Sequence, residues 1–441
     1  MSMQTRTGVR ATLRRTSLGL LVAAALAPAG PVVAANADGF VLEKVVQVTR
    51  HGVRPPTGGN VKAIDAATRR DWPAWTVEPG HLTGHGYAAV VEMARYRASE
   101  LRERGLFSDA CPSTGQVYAW ASPMQRTRAT AEAMLDGLFP GCGLQAGSVP
   151  GDMDALFQAD KMGFAPLDES KAREGILKAL GGSEEAARKR LQPTLDKLQK
   201  AVCQPGKACP FVGEPWKLAR KEDGRFAVDG LTVASDMGET FRLQYSEGLP
   251  LDQVAFGHAR TPAQVSALME LHKAKYDFIN DTPYISTRGG SQLMNQIALA
   301  VRQGTELERK DPLGNPPSTS LLLLVAHDTN ISYLRTMLGF TWKLGDYPQG
   351  NIPPGGTLAF ERYVESKTGK RFVRVVFEGQ SMDQIRSLTR LEGGEKPLIA
   401  EFKAADDCRQ TSVGLLCPLD AVATKLDSIV DRTALKAYQY P

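Results

Sequence analysis

The stretch VVQVTRHGVRPP, Val45 to Pro56, decides how the rest of the chain is read. Val45, Val46 and Val48 favour a pleated, buried backbone. The run ends in Arg50-His51-Gly52-Val53-Arg54-Pro55, where Gly52 permits a tight turn and Pro55-Pro56 forbid immediate helix or sheet pairing. A histidine between two arginines therefore sits on a turn just past a buried strand. In α/β folds ligands bind outside the carboxyl ends of strands. A neutral imidazole is a nucleophile, and guanidiniums are forked donors matched to phosphate oxygens. Their positive field disfavours imidazolium, so His51 should stay neutral at lower pH than a free histidine. The extended pattern R-H-G-x-R-x-P points to a phosphate site rather than to a solvated basic turn.

Two more predicted strands end in residues of the same chemistry. QVYAWA, Gln116 to Ala121, runs into Ser122-Pro123-Met124-Gln125-Arg126-Thr127-Arg128 and then a helix to about Phe139. A helix N-terminus there adds backbone donors for an anion. Arg126, nearer the strand exit, is the expected ligand, with Arg128 turned to solvent or to a neighbouring acid. LLLLVA, Leu321 to Ala326, is a fully buried strand ending in His327-Asp328-Thr329-Asn330, with a helix from Ile331 to Leu338 closed by Gly339. The three exits supply Arg50, His51, Arg54, Arg126, His327 and Asp328. That set holds one nucleophile, several cations and one carboxyl group able to act as general acid. A phosphate dianion bound nearby would raise the Asp328 pKa and keep it protonated in mild acid.

The chain has 441 residues, enough for one large or two ordinary domains, with 42% hydrophobic and 23% charged content typical of a soluble enzyme. Arg6, Arg10, Arg14 and Arg15 precede an apolar run, Leu18 to Leu26, then small residues through Ala37. That is a secretory signal, cleaved after Ala35 or Ala37, and Arg14-Arg15 also permits a twin-arginine route. The run is too short for a transmembrane anchor. The signal holds four arginines and no acid, so its removal takes the formal charge from +5 to +1. The basicity is mostly an export label, and no nucleic-acid or membrane partner is expected.

Six cysteines remain: Cys111, Cys142, Cys203, Cys209, Cys408 and Cys417. An even number in an exported chain suggests disulfides, and of the 15 possible pairings their grouping suggests 111–142, 203–209 and 408–417. No C-x2-C or H-x3-H spacing supports a metal, and no cofactor is expected.

In chain order, Phe40 to Thr49 reads as the first strand and Val53 to Pro79 as loop. Trp72 and Trp75 there either wall a pocket or pack on the body. Thr83 caps a helix that Gly105 ends, with His81 and His85 as surface or capping residues at its start. From about Leu167 the pattern turns helical: Glu169–Leu180, Glu184–Leu191, Thr194–Val202, Met237–Glu247 and Pro262–Ile279. Glu239, on the fourth of these, is a candidate for reaching the pocket against the ordinary alternative of a solvated face. A helix from Ser291 to Val301 and strands at Thr357–Arg362 and Arg371–Phe377 complete the core, followed by a C-terminal tail. The expected organisation is a signal at 1–37, an α/β core in two parts at 38–166 and 286–441, and a helical cap at 167–285.

At this point the chain resembles the histidine acid phosphatases, in the branch of bacterial phytases and periplasmic glucose-1-phosphatases. The shared signature is Arg50-His51-Gly52-Val53-Arg54-Pro55-Pro56, Arg126-Thr127-Arg128 and His327-Asp328-Thr329-Asn330, with support from FRLQYSEGLPLDQVAFG (Phe241 to Gly257) and the Pro353-Pro354-Gly355-Gly356 turn. The resemblance implies a phosphoglycerate-mutase-like α/β core, helices on both faces of a central sheet, and an inserted smaller helical domain. It implies a phosphohistidine on His51, phosphate held by Arg50, Arg54, Arg126 and His327, and proton donation by Asp328; Thr57, just past the first motif, and Glu239 are further candidate phosphate contacts. No metal or cofactor is used, and the partner is a small phosphate monoester. Phytases of this branch often carry a lysine soon after the first motif. Here Thr57 is followed by Gly58-Gly59-Asn60, with Lys62 further on. Lys161 or Lys273 from the lid would have to compensate, so phytate and sugar phosphates stand level. A phosphotransferase or mutase and a non-catalytic phosphate-binding protein are the rival readings. An exported, disulfide-bearing chain fits the first poorly, and the second does not require Asp328 beside His51.

Overall fold

The computed structural model describes residues 39–440, and the expected export segment lies outside them. The valine run forms strand β1 (Phe40–Arg50), which continues past Thr49 so that Arg50 closes it. The region expected to be loop contains a helix, α1 (Gly58–Thr68). Thr57 caps it, accepting from the Asn60 N–H, and that cap outweighs the weak helix propensity of two glycines. Next come α2 (Gly84–Glu103), capped by Thr83 as expected, then β2 (Val117–Ala121) and α3 (Gln125–Leu138).

A short α4 (Ala155–Gln158) precedes α5 (Glu169–Leu180), α6 (Glu184–Arg190) and α7 (Gln192–Val202), close to the predicted bounds. A hairpin of β3 (Lys217–Arg220) and β4 (Phe226–Asp229) was not expected, because four-residue strands leave little periodicity to read. Helix α8 (Leu231–Ser246) starts ahead of Met237, and α9 (Pro262–Lys275) ends in a π-helical turn, Tyr276–Asn280. The stretch 167–285 belongs to the same compact unit as the sheet. Helix α10 (Pro283–Arg302) begins earlier than Ser291.

Then follow β5 (Leu321–Ala326) and α11 (Asp328–Leu338), which Gly339 ends in the left-handed region at φ 73°. The supposed tail after β6 (Thr357–Glu365) and β7 (Arg371–Gly379) is ordered. It comprises α12 (Met382–Arg386), β8 (Leu398–Phe402), β9 (Arg409–Thr411), β10 (Gly414–Pro418) and α13 (Leu419–Ser428).

Eight strands form one sheet in the order β2-β5-β1-β6-β7-β10-β9, with β8 also paired to β7. Strand β1 lies between β5, parallel, and β6, antiparallel. Both faces are covered, which explains why β5 is apolar throughout. Leu321, Leu323 and Val325 pack in the core that holds Val90 and Ala94 of α2 and Met134 of α3. Leu322, Leu324 and Ala326 pack on the other side, with Leu293 and Ile297 of α10 and Ile331 of α11. Each fully buried leucine contributes about 1.5–3 kcal/mol. This two-sided burial fixes the register that delivers polar residues at the carboxyl ends of β1, β2 and β5.

The cysteines pair as grouped: Cys111–Cys142, Cys203–Cys209 and Cys408–Cys417. No helix among the described residues is long and apolar enough to cross a membrane.

Candidate active site

The His51 backbone is pinned from both neighbouring strands. Its N–H donates to the Ala326 carbonyl (3.1 Å), its carbonyl accepts from Gly355 N–H (3.2 Å), and Arg50 N–H donates to the Gly356 carbonyl (2.9 Å). Gly52 matters for a different reason from the one expected. A Cβ there would stand 2.9 Å from Leu82 Cδ1 and 3.0 Å from the Gly86 carbonyl, so glycine lets α2 close against the turn. The Gly52 N–H donates to Thr130 Oγ1 on α3 (3.0 Å).

His51 is buried, and its Nδ1 lies 2.9 Å from the Gly52 carbonyl. A carbonyl only accepts, so Nδ1 carries the proton and Nε2 keeps its lone pair. Burial, reinforced by Arg54, Arg126 and Arg50, holds the imidazole well below the ordinary histidine range. The His327 ring sits 5.6 Å away, centroid to centroid. His327 Nε2 is 3.1 Å from Ser122 Oγ, and its N–H donates to Asn330 Oδ1 (3.2 Å), which fixes the start of α11.

Arg50 is completely buried, with both terminal nitrogens engaged and its Nε without an acceptor among the described residues. It donates to the Ile352 carbonyl (2.5 Å), to Glu239 Oε1 (2.6 Å) and to Asp328 Oδ2 (2.9 Å). Arg54 donates to the Pro55 carbonyl (2.9 Å), and Arg126 makes only a long contact to the Gly80 carbonyl (3.5 Å). Their other N–H groups have no acceptor among the described residues. Burial, helped by Arg54, brings Arg126 down to about 10, which leaves it charged at any physiological pH. Arg128 is exposed.

Glu239 is buried, not solvated, and it does not point a donor at a phosphate. Its carboxylate accepts from Arg50 and Arg242, and a group so negative repels an anion. Burial opposes its charge, but Arg242 and Arg50 outweigh that and hold it far below the usual carboxylate range. Thr57 is occupied as well: its hydroxyl donates to Asn60 Oδ1 (3.0 Å) while capping α1. Burial likewise opposes charge on Asp328, and Arg50 outweighs it, so the resting carboxyl group is ionised.

Glu239, His272 and Asp328 present ligand atoms within 4.8 Å of one another, the composition of a metal set. Both carboxylates, however, face the guanidinium of Arg50. Sequence reasoning missed His272, Arg242, Ser122 and Tyr276. A lone histidine or tyrosine on a helix carries no signal, although Arg242 lies in a segment singled out by resemblance.

A cavity of about 320 Å³ opens beside Thr329 and Tyr276, with Lys221, Arg225, Lys275, Asp160 and Asp236 in its walls. Arg225 and Lys275 are paired with Asp223 and Asp236. Lys161 has no ion-pair partner among the described residues, and its charge acts on Arg126 and His327. Lys273 pairs with Asp277 on its own segment and lies away from this cavity. Trp72 and Trp75 line a separate cavity of about 540 Å³ with Pro55 and Pro56, while Trp72 also stacks on Phe241 at 5.4 Å.

Comparison with known proteins agrees with this geometry. Residues 41–378 match the histidine phosphatase superfamily, branch 2. The chain is 29% identical to phytase AppA of Escherichia coli over 86% of this chain and 89% of that protein. It is also 29% identical to a glucose-1-phosphatase of Salmonella typhimurium over 96% of this chain and 100% of that one. Among solved structures, a Klebsiella phytase superposes with a TM-score of 0.85 at 42% identity, covering 91% of this chain and 97% of that chain. Hafnia alvei phytase in complex with myo-inositol hexakis sulphate gives 0.79 at 31% identity, covering 90% and 99%. With its α/β sheet, paired arginines and buried histidine, the chain belongs to branch 2 of the histidine phosphatase superfamily.

Proposed function

We propose that this phosphatase hydrolyses phosphate monoesters of polyhydroxylated rings, sugar phosphates or inositol phosphates, through a phosphohistidine on His51. One observation carries the reading. Three buried guanidiniums, Arg50, Arg54 and Arg242, and the half-buried Arg126 stand with two carboxylates, Glu239 and Asp328, around a neutral imidazole. The two unmatched cations, Arg54 and Arg126, equal the charge of a phosphate dianion and have free donors to offer it.

In the first step His51 Nε2 attacks phosphorus. The bond to the ester oxygen breaks, and protonated Asp328 gives its proton to the leaving alcohol. Arg50, Arg54, Arg126 and His327 hold the phosphoryl oxygens. In the second step water attacks phosphohistidine and Asp328 takes up its proton; once phosphate leaves, the carboxyl group releases that proton to solvent and returns to Arg50. Glu239 is a positioning residue: it holds Arg50 and Arg242 in place. The leaving group occupies the cavity beside Thr329, with residues 167–285 acting as the substrate-selecting cap, and Lys161, whose charge reaches Arg126 and His327, is the cation available to a second phosphate. Export to the periplasm or medium is supported by the arginine-led apolar N-terminus and by the pairing of all six cysteines.

The test is a rapid quench of enzyme with labelled substrate. Acid-labile phosphate on His51 is expected, and His51→Ala should lose turnover while still binding inorganic phosphate through the arginines. Turnover that survives in His51→Ala overturns the assignment.

A further inference from the structure

Asp328 rests as the partner of Arg50, at 2.9 Å, so an arriving ester meets a base where it needs an acid. Once substrate fills the front of the pocket, the proton must reach Asp328 another way. Beside Asp328 lies a cavity of about 20 Å³ whose walls include His272, Tyr276 and Ile352, with the half-buried Lys273 and the exposed Gln349 also lining it. That is room for one water, and the polar walls offer it partners. His272 is buried at this passage, with Nδ1 3.1 Å from Ser235 Oγ and Nε2 3.7 Å from Glu239 Oε2. Its ligand atom is within 4.8 Å of the Asp328 carboxylate, a distance that one water bridges.

We infer that His272 and the water passage behind it load Asp328 with its proton, making His272 a relay residue for leaving-group protonation. This rests on Asp328 being the proton donor. An imidazolium at His272 gives the proton from Nε2 to the bridging water, which gives one of its own to a carboxylate oxygen of Asp328. One N–H bond breaks and one O–H bond forms, and solvent at the mouth of the passage reprotonates the imidazole. The groups facing His272 balance its charge. Glu239 of α8 and Asp328 of α11 favour imidazolium; Arg242 of α8 and Lys275 of its own helix oppose it. Arg335, Lys273 and Tyr276 complete the passage walls. Burial, only partly offset by Glu239, brings the imidazole down to about 4, so it gives up a proton readily in mild acid.

The experiment compares His272→Asn, which keeps an amide for Ser235, with the native enzyme on glycerol 2-phosphate and p-nitrophenyl phosphate. Alkyl esters need a protonated leaving group and aryl esters do not. The variant should lose about tenfold in kcat on the alkyl ester at unchanged KM, with a far smaller loss on the aryl ester. An equal loss on both substrates, no loss, or a change in KM alone overturns the relay. Should Asn impair folding, judged by the thermal melt, His272→Gln answers the same question. Asp328→Asn is run alongside. If it too shows no alkyl–aryl split, the assigned proton donor fails; if it splits and the His272 variants do not, only the relay fails.

Discussion

Glu239→Gln should move the alkaline limb of the pH–rate profile toward acid. Glu239 Oε1 and Asp328 Oδ2 share one nitrogen of Arg50, and the two groups lie within 4.8 Å of each other. Like charges at that distance repel by about 3.5 kcal/mol at an effective dielectric constant of about 20. At about 1.36 kcal/mol per pH unit, the ceiling is roughly 2.5 units. The Gln amide oxygen still accepts from Arg50 and Arg242, and the pocket relaxes around the lost charge, so a displacement of about one unit is the expected outcome. The sign follows from what is removed. The charge of Glu239 favours the protonated form of Asp328; without it the carboxylate has Arg50 to itself, and less enzyme holds a proton to donate at any given pH. The assay is kcat against pH on glycerol 2-phosphate, from the acid optimum through neutrality, for the native and Gln enzymes. A limb that stays in place or moves to higher pH refutes the electrostatic reasoning.

Two predictions concern stability. Glu361 is fully buried and accepts from Arg97 (2.9 Å), Arg104 (2.9 Å) and Arg374 (3.0 Å). Glu361→Ala strands those charges and should cost about 3–5 kcal/mol, read from the urea midpoint at unchanged slope. Burial opposes charge on Glu361, but Arg97 and Arg374 outweigh it and depress its folded pKa, so its stabilisation is present above the ordinary glutamate value and is lost as pH falls through the folded one. An Ala variant as stable as the native enzyme at neutral pH excludes this. Replacing Cys111 and Cys142 by Ser opens a 31-residue closure and should cost about 3–4 kcal/mol. The same change at Cys203 and Cys209, six apart, should cost about 2 kcal/mol, and thermal melts showing the reverse order refute the loop-entropy view.

The strand exits were legible because each joins an apolar run to a polar cluster with no ambiguity of period, as in LLLLVA followed by His327 and Asp328. Arg126 could be chosen over Arg128 because it lies nearer the strand exit. Less visible were features that depend on who faces whom. Glu239 read as a candidate phosphate contact or else a solvated acid, because nothing in α8 announces that two buried arginines meet it. Thr57 looked like a phosphate contact from its place after the motif, whereas its hydroxyl caps a helix that Gly58-Gly59 concealed. Strands β8 to β10 were lost in a polar segment because strands of three to five residues, only partly buried, leave little alternation to read.

Strand β1 has consequences for timing. Its partners, β5 and β6, are encoded some 270 residues or more downstream, with Val45 opposite Leu321 and Glu361. A chain still emerging from the ribosome holds Arg50 and His51 but neither neighbour to straighten them, and Asp328 does not yet exist. Hydrolytic power therefore arrives all at once and late. A cell making this enzyme is shielded from it during synthesis by the order of the polypeptide itself.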